Sequence, residues 1–465
     1  MAAFVLRLIP VLLTRHVSIG PDDMFQYDML ARSLALGNGF RWYAPADLAL
    51  VAPYLHLDPS QMHLDPRGML TTFRAPLYPA FLALIYLING INDGRFFAAR
   101  LAQTVLGAAL APLTYYTARR ILPEDSGKAA RVAAWIVAAY PMLLIFPFAL
   151  ATENLFFLLV LASVFSLLWL LQCRPRPHVP EALLAGVLLG LAALTRSVIL
   201  PFGGLAILWV WFSIGQRRLA VVVLLAFIAT VAPWMIRNSL LAGKPTGIET
   251  SIGYNLYVGY HPESTGTFTF GPSLDLMSIL DDGQRDQLGT QQALGFIEQA
   301  PARFPYLAMR RLGYFFNLEL RAFTYFYANN FLGYIPPAGM LLAFAALALP
   351  FIIVSLSAAF GWALLPRRPE TLLLLLLFAG YLLPHVFILS EERFHLTLVP
   401  FFAIAAAAFW ERGWAVLRTR SPWVIAACAL LAILLLLNWG LQLGENWHTL
   451  LAMLGPAGNQ IYLPY

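Results

Sequence analysis

The stretch IGPDDMFQYDML, residues 19–30, sets two adjacent carboxylates, Asp22 and Asp23, just past the apolar opening MAAFVLRLIPVLL. Paired anions at the edge of a hydrocarbon layer are costly and need a reason. Further charged groups stand at comparable places: Arg74 in TTFRAPLYP, Arg100 in GRFFAARLAQ, Glu153 in LATENLF, Arg196 in ALTRSVILPF, Arg237 in PWMIRNSL, and Glu392, Arg393 and His395 in SEERFH. The planar fork of arginine matches phosphate oxygens and keeps its charge in a partly dry site. A carboxylate can take the proton from a hydroxyl or amine as it attacks. Together they suit transfer of a group away from a phosphate: arginines offset the charge growing on the departing oxygen, and an Asp activates the nucleophile. Taken singly, each residue has a plainer reading, since an Arg at a helix end usually snorkels to the headgroups and a Glu there caps or pairs. Their joint placement is what points to a site.

The elements that must position these groups are membrane helices. Of the 465 residues 60% are hydrophobic and 12% charged, and mean hydropathy is +0.70, so lipid must act as solvent for much of the surface. Apolar runs long enough to cross, or nearly so, lie at about 96–118, 129–149, 154–172, 182–195, 198–214, 219–236, 338–365, 371–389, 395–410 and 421–441. The segment 2–17 is short and carries Arg7; it counts as the first of eleven spans, with the natural start expected upstream. The run 75–88 is shorter and opens on prolines, and reads as a helix in the interface. With that choice the loops 118–131, 173–181, 215–218, 366–370 and 411–420 hold thirteen Lys or Arg, against two in the opposite short loops. By the positive-inside rule the first set is cytoplasmic, the amino terminus is inside, and Asp22, Asp23, Glu153, Arg196 and the SEERFH group share the outer face. A phosphate presented there, away from nucleotide pools, belongs to a lipid.

The net charge of +6 comes mostly from these short loops, so it reflects topology and not nucleic-acid binding. Two cysteines, both at or in apolar runs, argue against a disulfide framework or a cysteine metal site. No small-residue cleavage site follows the first apolar run, so no cleavable signal peptide is expected. The expected organisation is a transmembrane module at 1–237, whose first outer loop (18–95) holds juxtamembrane helices, an outer loop domain at 238–337 and a second transmembrane module at 338–465.

The order and spacing of DDMFQYDMLARSLALGNGF, RAPLYPAFLALIYLI, ATENLFFLL, LAALTRSVILPF and APWMIRNSLLAGKPTGIETSIGYNLYVGYHPESTGTF, with ERFHLTLVP at 392–400, resemble bacterial membrane glycosyltransferases of the GT-C fold. The closest group is the protein-mannosyltransferase and aminoarabinose-transferase-like one, which uses polyprenyl-phosphate sugars. The resemblance implies an all-α polytopic GT-C fold in the bacterial cytoplasmic membrane with its site on the periplasmic side. It also implies a catalytic Asp in a D-x-x-x-Y pattern, here Asp23 with Tyr27, and a basic residue facing the carrier phosphate, here Arg74. Asp22 beside Asp23 departs from that pattern and leaves the choice of base open between the two. The donor phosphate is expected on Arg74, Arg237, Arg100 and Arg196, and the sugar or acceptor on Tyr27, Glu153, Glu392, Arg393, His395 and Asn255.

The reaction expected is inverting transfer from a polyprenyl-phosphate sugar to a protein, lipid or glycan acceptor, since one direct displacement needs one base and no enzyme nucleophile. A flippase of lipid-linked glycans is the alternative; it calls for ionisable groups near the midplane of spans, where this chain is nearly charge-free. No cofactor is expected. The repeated HLDPSQMHLDPRG could offer His56, Asp58, His63 and Asp65 to a divalent metal, although a polar loop with Asx turns before each proline is the plainer reading.

Overall fold

The structure, a computed structural model, describes residues 1–20, 22–55, 57, 65–173 and 178–463. His56, Asp58 and His63 lie outside the described residues. The region after α1 (Ala2–Leu13) contains α2 (Asp23–Ala35), α3 (Pro45–Leu55) and α4 (Leu77–Asn89). Two short strands, β1 (Arg41–Trp42) and β2 (Met69–Leu70), pair antiparallel with Arg41 opposite Leu70. A run of long helices follows: α5 (Arg95–Ile121), α6 (Gly127–Ala139), α7 (Pro141–Ile145), α8 (Glu153–Gln172), α9 (Val179–Thr195), α10 (Leu200–Ser213) and α11 (Arg217–Ala242). A second region of shorter helices holds α12 (Ile252–Tyr260), α13 (Phe270–Asp275), α14 (Asp282–Gln299), α15 (Arg303–Phe315) and α16 (Arg321–Ala328). The chain closes with α17 (Pro337–Gly361), α18 (Pro369–Phe387), a 3-10 turn at Glu392–Leu398 running into α19 (Val399–Leu417), α20 (Pro422–Glu445) and α21 (Trp447–Met453).

The apolar runs expected as eleven spans fall on helices or a bent helix pair, but by length and composition fewer than eleven qualify as crossings. Seven helices among the described residues are long and apolar enough to cross a membrane, or eight with the pair Gly127–Ala139 and Pro141–Phe148, which bends by 54°. The protein is thus a multi-pass, all-α membrane protein. Helices α1, α9 and α10 are shorter; the 12 residues of α1 reach only about 18 Å at 1.5 Å per residue, against a hydrocarbon core of about 30 Å.

The charge inside α1 is explained by the bend. Pro141 has no N–H for the carbonyl of Val137, its partner four residues earlier in a continued helix. The buried Arg7 supplies that donor: its guanidinium reaches the carbonyls of Val137 at 2.9 Å and Ala138 at 3.0 Å. A residue that weakens α1 as a free-standing span therefore ties it to α6.

Small residues set the close packing of the bundle. An added Cβ at Gly186 or Gly190, four apart on one face of α9, would lie 2.4 Å from the carbonyl oxygen of Val223 or 2.6 Å from Thr230 Cβ, so α9 and α11 meet at near-backbone contact. The alanine run Ala405–Ala408 lets α19 sit buried among α6 and α17 at the centre.

Outside the bundle, buried Asp28 on α2 joins four helices. It accepts from Arg32 Nε (2.8 Å), from Arg95 Nε at the start of α5 (2.8 Å) and from Tyr86 on α4 (2.9 Å), while Arg32 reaches on to Asp47 of α3 (2.8 Å). The expected interfacial helix is α4, and it packs along α2. The amphipathic run at 304–316 forms α15, which lies against α18.

Candidate active site

Asp22 is the N-cap of α2; its carboxylate accepts from Met24 N at 2.8 Å, which fixes the helix start where favourable acids belong. Asp23, Gln26 and Tyr27 then share one face of the first turns. Arg74 covers that face: its guanidinium pairs with Asp23, donates to Gln26 Oε1 at 2.6 and 2.8 Å, and lies 5.3 Å from the Tyr27 ring centre and 5.1 Å from that of Phe73.

The loop bearing Arg74 is held from the α12–α16 region and the segment just before it. Asp282 Oδ2 accepts from Thr71 Oγ1 (2.6 Å) and Thr72 N (2.8 Å), and Thr250 N donates to the Thr72 carbonyl (2.9 Å). Glu153 opens α8 and pairs with Arg196, at the break between α9 and α10, at 2.7 Å. Arg393, on the 3-10 turn, joins the two halves: it lies 3.9 Å from Asp23, 3.7 Å from Glu153 and 2.7 Å from Glu391. The order Arg74, Asp23, Arg393, Glu153, Arg196 is a ribbon of alternating charge drawn from five separate segments. Opposite charges in contact hold one another's side chains in place before any ligand arrives.

This ribbon lines a cavity of about 1490 Å³, which also takes in Tyr27, Glu249, Asn255, Glu391 and Glu392. Small-molecule pockets typically measure roughly 300–1,000 Å³, so there is room for more than one substrate. The cavity walls are apolar toward α3 (Val51, Leu55) and toward α16 and α20 (Phe326, Leu443). Burial, and then the charge of neighbouring Asp23, push the Asp22 carboxyl up to about 6. Burial raises the Tyr27 phenol to about 12, so it stays a hydrogen-bond donor at neutral pH.

Three expected contacts are corrected. Arg100 is buried behind the site, where its guanidinium donates to the carbonyls of Phe148 (2.9 Å), Thr14 (3.1 Å) and Val17 (2.7 Å). It braces the chain that leads from α1 to Asp22. Arg237 donates to the carbonyls of Thr71 (2.6 Å) and Phe40 (3.4 Å), and so supports the Arg74 loop without lining the cavity. His395 is buried behind the wall, between Glu319 Oε1 (2.7 Å) and the Phe315 carbonyl (2.7 Å). In each case a charged or polar group at a helix end satisfies loop carbonyls or a buried acid, which spacing alone does not separate from ligand binding.

Glu249 was not anticipated; its carboxylate accepts from the Ser197 hydroxyl, next to Arg196, and faces the cavity. Arg321 and Glu319, in NLELRAF between α15 and α16, also line it. An acid and an arginine two residues apart in an otherwise aromatic stretch were the available signal. Among the described residues no group of three or more His, Cys, Asp or Glu is arranged to hold a metal ion. Asp65 pairs with Arg67 at 2.8 Å and Arg41 at 3.3 Å.

Residues 74–236 match the family model described as dolichyl-phosphate-mannose-protein mannosyltransferase. No curated protein matches the chain. Similar solved structures include the archaeal oligosaccharyltransferase AglB from Archaeoglobus fulgidus with an inhibitory peptide and a dolichol-phosphate (14% identity, 94% of this chain and 54% of that one, TM-score 0.42). ArnT from Cupriavidus metallidurans, bound to undecaprenyl phosphate, is 15% identical over 88% of this chain and 77% of that one, with TM-score 0.40. The chain spans about half the length of the archaeal oligosaccharyltransferase structures. That family match runs from the Arg74 loop into α11, and over those residues the chain is similar to the protein-mannosyltransferase group that its sequence resembles.

Proposed function

We propose that the protein is an inverting glycosyltransferase that moves a sugar from a polyprenyl phosphate to an acceptor at the outer face of the bacterial cytoplasmic membrane. The observation that carries this reading is the alternating ribbon of Arg74, Asp23, Arg393, Glu153 and Arg196 inside one large cavity with apolar walls. A phosphate takes its place among Arg74, Arg393 and Arg196, with its prenyl tail along apolar wall. An acceptor hydroxyl or amine attacks the anomeric carbon as the bond from that carbon to the phosphate oxygen breaks. The electron pair leaves with the polyprenyl phosphate, where the guanidiniums offset its growing charge. The acceptor's proton passes to Asp23, and the anomeric configuration inverts. Asp22, occupied in capping α2, sets the angle of Asp23. Tyr27, Asn255, Glu153 and Glu392 are placed to hold sugar or acceptor hydroxyls.

The test is to incubate purified protein with a panel of polyprenyl-phosphate sugars and candidate acceptors. Release of polyprenyl phosphate, with an inverted glycosidic product, supports the reading. No release from any donor, or a product of retained configuration, overturns it.

A further inference from the structure

His395 and Glu392 are gripped by one segment, the turn between α15 and α16. Glu319 Oε1 accepts from the Tyr140 hydroxyl at 2.6 Å and lies 2.7 Å from His395 Nε2; Arg321 N donates to Glu392 Oε1 at 2.6 Å. The His395 ring also stacks on Phe351, centroids 4.2 Å apart. The turn is itself anchored to α20, because Leu318 N donates to Gln442 (2.7 Å), Asn438 to Asn317 (3.0 Å) and Trp439 to the Phe316 carbonyl (2.7 Å). Residues 392 and 395 are thus held from behind, while Glu391 and Arg393 point their charges into the ribbon.

The hydrogen bonds dictate the charge of this lock. The Phe315 carbonyl only accepts, so Nδ1 of His395 carries its hydrogen. Nε2 and Glu319 Oε1 then share one proton. Whichever atom holds it, the pair is neutral overall and suits a buried wall. The turn needs such support: it is a seven-residue 3-10 segment, and runs beyond about 3–4 residues are uncommon because their internal hydrogen bonds are poor.

We infer that Glu319 and His395 are positioning residues: by fixing the 392–395 turn they hold Arg393 between Asp23 and Glu153. The role rests on the transferase reading above. Arg393 contacts those acids at 3.9 and 3.7 Å, so a small displacement of the turn removes it from one or both. A misplacement of about 1 Å in a catalytic constellation costs on the order of 10²-fold.

A double-mutant cycle tests this. His395→Phe keeps a flat ring on Phe351 but removes both hydrogen bonds, and Arg393→Ala removes the group it serves. Turnover is read as polyprenyl phosphate released from a polyprenyl-phosphate sugar. His395→Phe is expected to lower kcat about 10- to 100-fold in the unaltered chain and no more than about twofold in the Arg393→Ala background. Tyr140→Phe, which leaves the His395–Glu319 contact in place, should give a smaller loss that also vanishes without Arg393; it carries the cycle if His395→Phe does not fold. Losses that multiply independently of Arg393 overturn the positioning role and leave the transferase reading intact. Absence of turnover in the unaltered chain overturns that reading, and this role with it.

Discussion

Replacing Arg74 by lysine keeps the charge and removes the fork. In the resting site Arg74 makes one ion pair with Asp23 and two contacts with Gln26, and its plane lies against Tyr27 and Phe73. A lysine ammonium can meet Asp23 or a phosphate oxygen as a point charge, but it cannot span Gln26 and a phosphate together. Each hydrogen bond to a charged group is worth roughly 1.5–3 kcal/mol, so loss of one such bond to the leaving phosphate corresponds to about 10- to 100-fold in rate. Arg74→Ala removes the charge as well and leaves Arg393, at 3.9 Å, as the cation paired with Asp23 among the described residues. It should therefore cost more than lysine, and it should also weaken binding of free polyprenyl phosphate. The assay is initial-rate release of polyprenyl phosphate, with carrier affinity measured separately in detergent micelles. An Arg74→Ala variant with normal carrier binding and turnover removes Arg74 from the site. A lysine variant as active as the unaltered chain shows that charge alone suffices and refutes the fork argument.

Three further outcomes follow from the geometry. Asp22→Ala should lower thermal stability by about 0.5–2 kcal/mol through the lost cap, with Asn restoring most of it; because the folded carboxyl sits near 6, above its unfolded value, its proton favours the fold at low pH and that contribution is lost as pH rises toward 6, so Asp22→Asn should flatten the stability profile between about pH 4 and 7. Asp28→Ala, which strands Arg32 and Arg95 around a vacated buried partner, should cost about 3–5 kcal/mol, seen as a large fall in melting temperature; a fall of a degree or less counts against the four-helix junction. Cysteines placed in 118–131, 366–370 and 411–420 should be shielded from membrane-impermeant reagents in intact cells while those in 40–55 and 250–290 react, and labelling of 118–131 from outside would invert the topology.

The helices were legible because apolar run length and the charge of the short loops both follow from the cost of putting backbone and charge into lipid. The same reasoning reached Asp22, Asp23, Arg74, Glu153, Arg196 and Arg393 as neighbours, since all stand at helix ends on one face. It could not tell a guanidinium that faces a cavity from one that donates to carbonyls, and Arg100 and Arg237 are of the second kind. Arg7 marks the same limit: in sequence it weakens a short span, and only the partner missing at Pro141 gives it a place. Glu249 and Glu319 sit in the long segment between α11 and α17, where no periodic signal aims side chains. They reach the site by the tertiary packing of α12–α16 onto the bundle.

Asp23 is proposed to take the acceptor's proton beside a phosphate held by arginines. Asp23→Asn keeps the shape and the reach to Arg74 but removes the base, and loss of a general base typically costs about 10²- to 10⁴-fold in rate. The decisive measurement compares turnover of a polyprenyl-phosphate sugar by Asp23→Asn and Asp22→Asn, with polyprenyl phosphate affinity measured on both. Asp23→Asn is expected to lose most of its turnover with carrier binding retained, and Asp22→Asn, whose cap Asn can still provide, to lose clearly less. The reverse order would make Asp22 the base. Unchanged sugar transfer in both variants would contradict the mechanism outright.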